Sequence, residues 1–456
     1  MDWIPIAGWV CFAVVSLTAV AFVITSLRER RWRPAGVAFT LFCPALALSA
    51  AALLVDFPAK PWIILAVVLA VFIGVVVVLV PTGPIPRLQI PGDPQRIDER
   101  DAIFHRFYRL KPGSPEFDEY YREHPDKTAF DEKVRSQAPL GYPGSRTYHS
   151  TTSPFQSAAS DVLDRITREV DWTPEPVEGA PVELTAAEST RRIKGFAHYL
   201  GAKMVGTTKL NPAHVYSHIG RSPGEWGEPI ELDHTHAVAI GVEMSFDMVR
   251  HAPDSTTITE TAFKYFEAAK IAMIIARYIN LLGYEARAHV DGNYRVLCVP
   301  VAVDAGLGEL GRLGVLMTPR FGPRVRLSVV TTNLPLVQDE PVAIGVQHFC
   351  EFCKKCATCC PSGAVDSGDK AVHNGVEKWQ THQERCYRFW RVQGTDCALC
   401  MRVCPYAHPT TSLHNMVRRT LPRSAIARRL ALLADDLFYG RRPTGPSALP
   451  EWHAKG

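Results

Sequence analysis

The sequence predicts a layered α/β domain, followed by a cysteine-rich module and preceded by three apolar helices. Three observations carry this. Residues 5–26, 35–55 and about 62–80 are long apolar runs without a charged side chain. From about residue 185, helix-like and strand-like patterns alternate, and such alternation stacks helices on a sheet. Nine of the twelve cysteines lie between Cys350 and Cys404.

The apolar runs come first in the chain. Each is near the about 20 residues needed to cross a hydrocarbon core. A cleaved signal peptide has one shorter apolar core and a small-residue cleavage site, which three successive runs do not fit. The turn Arg28-Glu29-Arg30-Arg31-Trp32-Arg33 is strongly basic, whereas Asp56–Lys60 carries one acid and one base. The positive-inside rule therefore puts the first turn in the cytoplasm and the N-terminus outside. The chain then leaves the third run on the cytoplasmic side, where Arg87, Arg96 and Arg100 follow. This predicts a multi-pass anchor in the cell (inner) membrane over residues 1–82, with the lipid bilayer as a partner and the rest of the chain in the cytoplasm.

Residues 83–180 open with a linker rich in proline (Pro84, Pro86, Pro91, Pro94) and continue as a polar wrapping region of little periodicity. Residues 181–335 form the predicted α/β domain. Leu184–Gly201 reads as a helix and Ala237–Met244 as a buried strand. Thr257–Leu282 reads as a long amphipathic helix, with Thr257 and Glu260 as a capping box and Gly283 at its end. Arg295–Pro300 and Arg326–Thr332 read as strands.

Residues 336–412 form the cysteine module, and 413–456 a C-terminal tail. A secreted disulfide protein would spread its cysteines along the chain; tight Cys-x2-Cys groups read as metal or cluster ligands. The stretch from Cys350 to Pro361 contains Cys-x2-Cys-x2-Cys-x3-Cys-Pro, the bacterial ferredoxin run whose fourth cysteine serves the other cluster. The second half has Cys386, then Cys397-x2-Cys400-x3-Cys404-Pro405. This assigns Cys350, Cys353, Cys356 and Cys404 to one [4Fe–4S] cluster, and Cys360, Cys386, Cys397 and Cys400 to a second. Cys359 is surplus. A structural zinc site takes four ligands in closed pairs, and eight in this order do not read as one. Cys11, Cys43 and Cys298 read as small buried apolar side chains. The formal net charge of +4 gives no polyanion-binding surface, so no nucleic acid partner is expected.

A ferredoxin does not need 250 further residues. The stretches Gly283-Tyr284, Val299-Pro300-Val301-Ala302-Val303, Ala305-Gly306-Leu307-Gly308-Glu309, Gly311-Arg312, Gly322-Pro323-Arg324-Val325-Arg326 and Cys353-Lys354-Lys355-Cys356-Ala357 resemble the reductive dehalogenase family over about residues 255–405. The resemblance implies a nitroreductase-like domain holding a base-off cobalamin beside a ferredoxin-like domain with two [4Fe–4S] clusters. It implies an enzyme that replaces halogen by hydrogen on a small organohalide, with electrons from a membrane quinol or a cytoplasmic reductase. Carried over by motif, the proton donor falls on Tyr265, its supporting arginine on Arg326, and a polar partner on Asn293. Arg326 is expected to lower the Tyr265 pKa. Trp390, four residues after Cys386, is a candidate for the substrate pocket. Gly306-x-Gly308-x-x-Gly311 matches a dinucleotide fingerprint, but a strand-like Val-Leu-Met follows where a helix is required, so these glycines are expected to let backbone approach the corrinoid. Asp233-His234-Thr235-His236 lacks further ligands at metal-binding spacing. The alternatives are an epoxyqueuosine-reductase-like enzyme, which carries Asp where Tyr265 stands, and a membrane-bound ferredoxin-type electron carrier.

Overall fold

The computed structural model describes residues 3–79 (side chains to 74), 88, 92–170, 180–443 and 449–454. Two compact units emerge: Met1–Pro86 with Pro409–Ser447, and Arg87–His408 with Ala448–Gly456.

The first unit contains helices α1 (Trp3–Arg28), α2 (Trp32–Leu54) and α3 (Lys60–Leu79). Only 11% and 6% of the most apolar windows of α1 and α2 are buried within the protein, so these helices do not form the core of a water-soluble bundle. Gly8 lets α1 come close to α3; a Cβ there would lie 2.9 Å from Ile64 Cγ2. Among the described residues two helices are long and apolar enough to cross a membrane, not the three expected. The described apolar stretch of α3 is Lys60–Gly74, shorter than a span requires. The proline-rich linker lies mostly outside the described residues.

The second unit begins with short helices. These are α4 (Ile103–Tyr108), α5 (Pro115–Glu123), α6 (Pro125–Arg135) and α7 (Ser153–Arg168). Then follow α8 (Ala186–Tyr199), β1 (Met204–Lys209), β2 (His236–Glu243), α9 (Phe246–Val249), α10 (Ser255–Leu281), β3 (Ala286–His289), α11 (Cys298–Asp304), β4 (Glu309–Leu310), β5 (Leu316–Met317) and β6 (Val325–Thr332). Four strands make one antiparallel sheet in the order β1-β2-β6-β3. Its faces follow from side-chain alternation. Val238, Ile240, Val242 and Val330 join a core with α10, while Ala237, Ala239, Leu327 and Val329 join the core that holds α11. Both faces of β2 are therefore covered, which is why His236–Glu243 reads as a nearly continuous apolar run.

Helix α10 packs Ala268, Ala269, Ile271, Ala272, Ile275, Ala276 and Ile279 on the sheet, the spacing of one helical face. It starts two residues before the expected capping box. Asp254 caps it, accepting from the Ser255 N–H at 2.7 Å, and Glu260 instead accepts from the Ser245 N–H at 2.5 Å. Gly283 takes the left-handed φ of +87° that ends the helix. Residues 295–300 are not a strand. Their last three residues open α11, because Pro300 in a first helical turn forfeits no hydrogen bond.

The cysteine module contains α12 (Val346–Cys353), α13 (Lys355–Thr358), the hairpin β7 (Ala371–His373) and β8 (Val376–Lys378), α14 (Gln383–Gln393) and α15 (Leu399–Arg402). The C-terminal α16 (Ser412–Thr420) and α17 (Ala425–Phe438) belong to the first unit, where α17 packs against α2 and α3.

Candidate active site and cluster module

Strand alternation sends Arg326 and Ser328 to the α10 face of the sheet, since Val325, Leu327 and Val329 point the other way. On α10, Thr261 and Tyr265 share a face at i and i+4. The two elements meet there. The Arg326 guanidinium lies over the Tyr265 ring, 5.1 Å from its centroid. Its Nη2 donates to Thr261 Oγ1 at 2.8 Å and stands 3.5 Å from Asp396 Oδ2. Thr261 in turn donates to Asp396 Oδ2 at 2.6 Å. Asp396 is buried and immediately precedes Cys397, so the Tyr–Arg pair is bonded directly to the cysteine module. Arg326 Nε is buried and has no hydrogen-bond partner among the described residues, leaving one donor for a bound group.

The expected lowering of the Tyr265 pKa is not what the geometry produces. Burial raises it, and Arg326 only partly opposes the rise. Tyr265 therefore keeps its proton at neutral pH. Asn293 is wholly buried, but its polar atoms serve the loop: Oδ1 accepts from Arg287 Nη2 at 2.6 Å, and Nδ2 donates to the Thr167 carbonyl at 3.0 Å. Its neighbour Tyr294 is close enough to Tyr265 to feel its charge. Burial first, and then Tyr265, push the Tyr294 phenol well up.

Around this pair runs a wall that the sequence does not announce. Arg221 pairs with Asp291 at 3.3 Å and lies over the rings of Phe104 and Tyr108 at 5.3 and 5.2 Å. Burial works against the Arg221 charge, but Asp291 outweighs it and the guanidinium is held firmly charged. Tyr108 keeps 50% of its surface accessible, yet the surrounding protein desolvates its phenol to a pKa of about 12. Cys298 is only partly buried, and its thiol too is raised by desolvation, so it is a wall residue rather than core filling. Trp390 lies behind this wall, 5.8 Å from Phe104 and 6.1 Å from Tyr387.

Gly306, Gly308 and Gly311 allow close backbone approach, but to the chain itself. A Cβ on Gly306 would meet the Glu340 carbonyl at 2.6 Å, one on Gly308 the Met317 carbonyl at 2.0 Å, and one on Gly311 the Met317 side chain at 2.6 Å. The charged residues of the same motif hold the cysteine module. Glu309 accepts from the backbone N–H groups of Ile344, Gly345 (2.8 Å) and Gln347 (2.9 Å) at the start of α12. Buried Arg312 donates to the carbonyls of Cys350, Asp366 and Gly368 at 2.8–3.0 Å. Arg324 donates to the Ala407 carbonyl at 2.7 Å, just past Cys404.

Burial raises the Cys404 and Cys400 thiols, and neighbouring thiols add to the rise: Cys350, Cys353 and Cys356 act on Cys404, while Cys360, Cys386 and Cys397 act on Cys400. Cys356 also acts on Cys400, so the two groups adjoin. Lys354 and Ala398, each the first residue between the cysteines of a Cys-x2-Cys pair, adopt left-handed φ values of +51° and +44°. That repeated turn aims successive thiols at one point. Among the described residues no group of His, Cys, Asp or Glu is arranged around a single metal ion. The donor set, two fours of sulfur, fits iron–sulfur cubes.

Comparison with known proteins agrees. A 4Fe-4S dicluster domain matches residues 349–408. The tetrachloroethene reductive dehalogenase of Sulfurospirillum multivorans is 33% identical over 307 residues, 59% of this chain and 61% of that protein. That of Dehalobacter restrictus is 34% identical over 232 residues, 48% of this chain and 40% of that protein. This chain thus spans less than two thirds of either relative. The solved structure of the catabolic reductive dehalogenase NpRdhA in complex with 3-bromo-4-hydroxybenzoic acid matches with a TM-score of 0.62 and 26% identity, over 78% of this chain and 49% of that one. By motif, fold and cluster module, the chain is similar to the reductive dehalogenases.

Proposed function

We propose that this protein is a membrane-anchored reductive dehalogenase, which replaces the halogen of a small organohalide by hydrogen. The observation that carries this is the Tyr265–Arg326 pair, bonded through Thr261 to Asp396, the residue before Cys397. The overall reaction consumes two electrons and one proton: the carbon–halogen bond breaks, halide leaves with its electron pair, and a C–H bond forms.

The α/β unit is read as a nitroreductase-like cobalamin-binding domain. The grouping of Tyr108, Tyr294, Arg221 and Cys298 near Tyr265, each desolvated by its surroundings yet none wholly buried, supports this. These residues would hold the cofactor beside Tyr265, and the two cysteine sets would hold two [4Fe–4S] clusters. Cobalamin, reduced through the clusters, supplies low-valent cobalt able to break the carbon–halogen bond. His234 is engaged by Thr331 at 2.7 Å and His236 by Thr235 at 2.8 Å, which supports base-off binding without a histidine from this chain.

The residues then have separate tasks. Tyr265 is the proton donor. Its raised pKa keeps the phenol intact until charge develops on the substrate carbon, and Arg326 stabilises the phenolate that results. Asp396 and Thr261 hold the guanidinium in place. Asn293 is a positioning residue, fixing the loop that presents Tyr294. Arg221 keeps a positive charge at the cavity edge, suited to a halogenated substrate with an anionic group.

The apolar helices α1 and α2 support the anchor; with the basic turn between them in the cytoplasm, a cytoplasmic catalytic unit requires α3 to cross as well. Electrons would then come from membrane quinol or a cytoplasmic reductase. Anaerobic halide release by the purified, cobalamin-loaded protein, given a strong reductant and a panel of chlorinated and brominated phenols and alkenes, tests the reading. No release with cobalamin and reducible clusters present overturns it.

A further inference from the structure

Helix α17 is amphipathic in the wrong sense for water. Ile426, Leu430, Leu433 and Leu437 form a stripe at i, i+4, i+7 and i+11 along its whole length, and all four are exposed. Of its four charged groups only Arg429 is exposed, and the other three turn inward. Asp435 is buried, the Asp436 side chain is only 25% exposed, and Arg428 is turned back onto the Leu421 carbonyl at 2.6 Å. A helix at a water interface does the opposite. The stripe continues an apolar surface, because α17 packs on α2 and α3, and Phe438 meets Phe22 of α1 at 4.8 Å. Charge marks its depth. Arg31 of the basic turn lies over Tyr439 at 5.8 Å, and Gly440 packs on Arg33. Residues 418–442 carry seven arginines against two aspartates. With 14 residues, α17 is about 21 Å long and too short to span a bilayer.

We infer that α17 is a membrane-interface helix. It buries its leucine stripe at the boundary of headgroups and acyl chains, and the neighbouring arginines meet anionic headgroups. The anchor is then built from both ends of the chain. This rests on the membrane reading of α1 and α2, so the test separates the two. The full-length protein, carrying a benzophenone amino acid at Leu433 or Leu437, is placed in nanodiscs of phosphatidylcholine and phosphatidylglycerol and irradiated. Val20 of α1 serves as the anchor control, and exposed Tyr199 of α8 as the water control. Cluster absorbance checks that each variant folds. Phospholipid-mass adducts at Leu433 and Leu437 in a yield like that of Val20, with none at Tyr199, are expected. Lipid at Val20 with only peptide adducts, or none, at both α17 positions overturns the inference while the anchor stands. No lipid at Val20 either removes the anchor and the inference with it.

Discussion

At the scale of the residue, one phenol is controlled by two opposing effects, and burial wins. Tyr265 is desolvated more strongly than Arg326 compensates. The sign follows directly: an acid catalyst works below its pKa, so a raised value extends the active plateau upward. The kcat of dehalogenation should stay level through neutral pH, with its alkaline limb above the ordinary tyrosine value of about 10; a limb near neutrality would exclude Tyr265 as the donor. Arg326 has a second task, as the cation facing buried Asp396 at 3.5 Å. Arg326→Gln leaves that carboxylate unpaired and should cost about 3–5 kcal/mol, read as a lower Tm, besides lost turnover. The Tyr265 and Arg326 positions were legible because motif residues carry them. Tyr294, one place after Asn293, was not, because the loop from β3 sets which of two adjacent side chains faces the cavity.

At the scale of the element, the family motifs prove to be largely fasteners. Glu309 and Arg312 are spent on backbone groups of the cysteine module, and Arg324 ties that module to Glu243 at the end of β2. Gly308 exists so that its backbone can lie against Met317. Gly308→Ala drives a Cβ to 2.0 Å from the Met317 carbonyl. The prediction is a loss of about 1–3 kcal/mol or more, seen in thermal unfolding of the cofactor-free protein. A cofactor-cradle role would instead leave that stability intact and weaken only cobalamin binding. α10 was readable from periodicity, since it buries one regular face, whereas β2 was readable as a nearly continuous apolar run covered on both faces. α11 was not, because its valines favour a strand locally and only packing against both β2 and β6 decides for a helix. Residues 98–180 hold α4–α7 and part of the cavity wall, yet their short helices leave no long period to detect.

At the scale of the molecule, the chain order hides the assembly. The C-terminal segment, which looks like a tail, shares a compact unit with the apolar N-terminal helices, a long-range pairing that no local pattern encodes. The cluster module, by contrast, was legible as a 4Fe-4S region from cysteine spacing alone. Two complete sets should bind about eight iron atoms per chain. Cys386→Ser should reduce this toward about four while sparing the set closed by Cys404, as iron analysis and electron paramagnetic resonance would show. Loss of all iron would mean that the two sites do not form independently.

The most direct test of the account is halide release measured side by side for the wild-type protein and Tyr265→Phe, both loaded with cobalamin and both reduced. Halide from the wild type, with a fall of about 10²–10⁴-fold in the variant at unchanged cobalamin and iron content, is the predicted result. Equal release from the two proteins would contradict Tyr265 as the proton donor, and release from neither would contradict the dehalogenase itself.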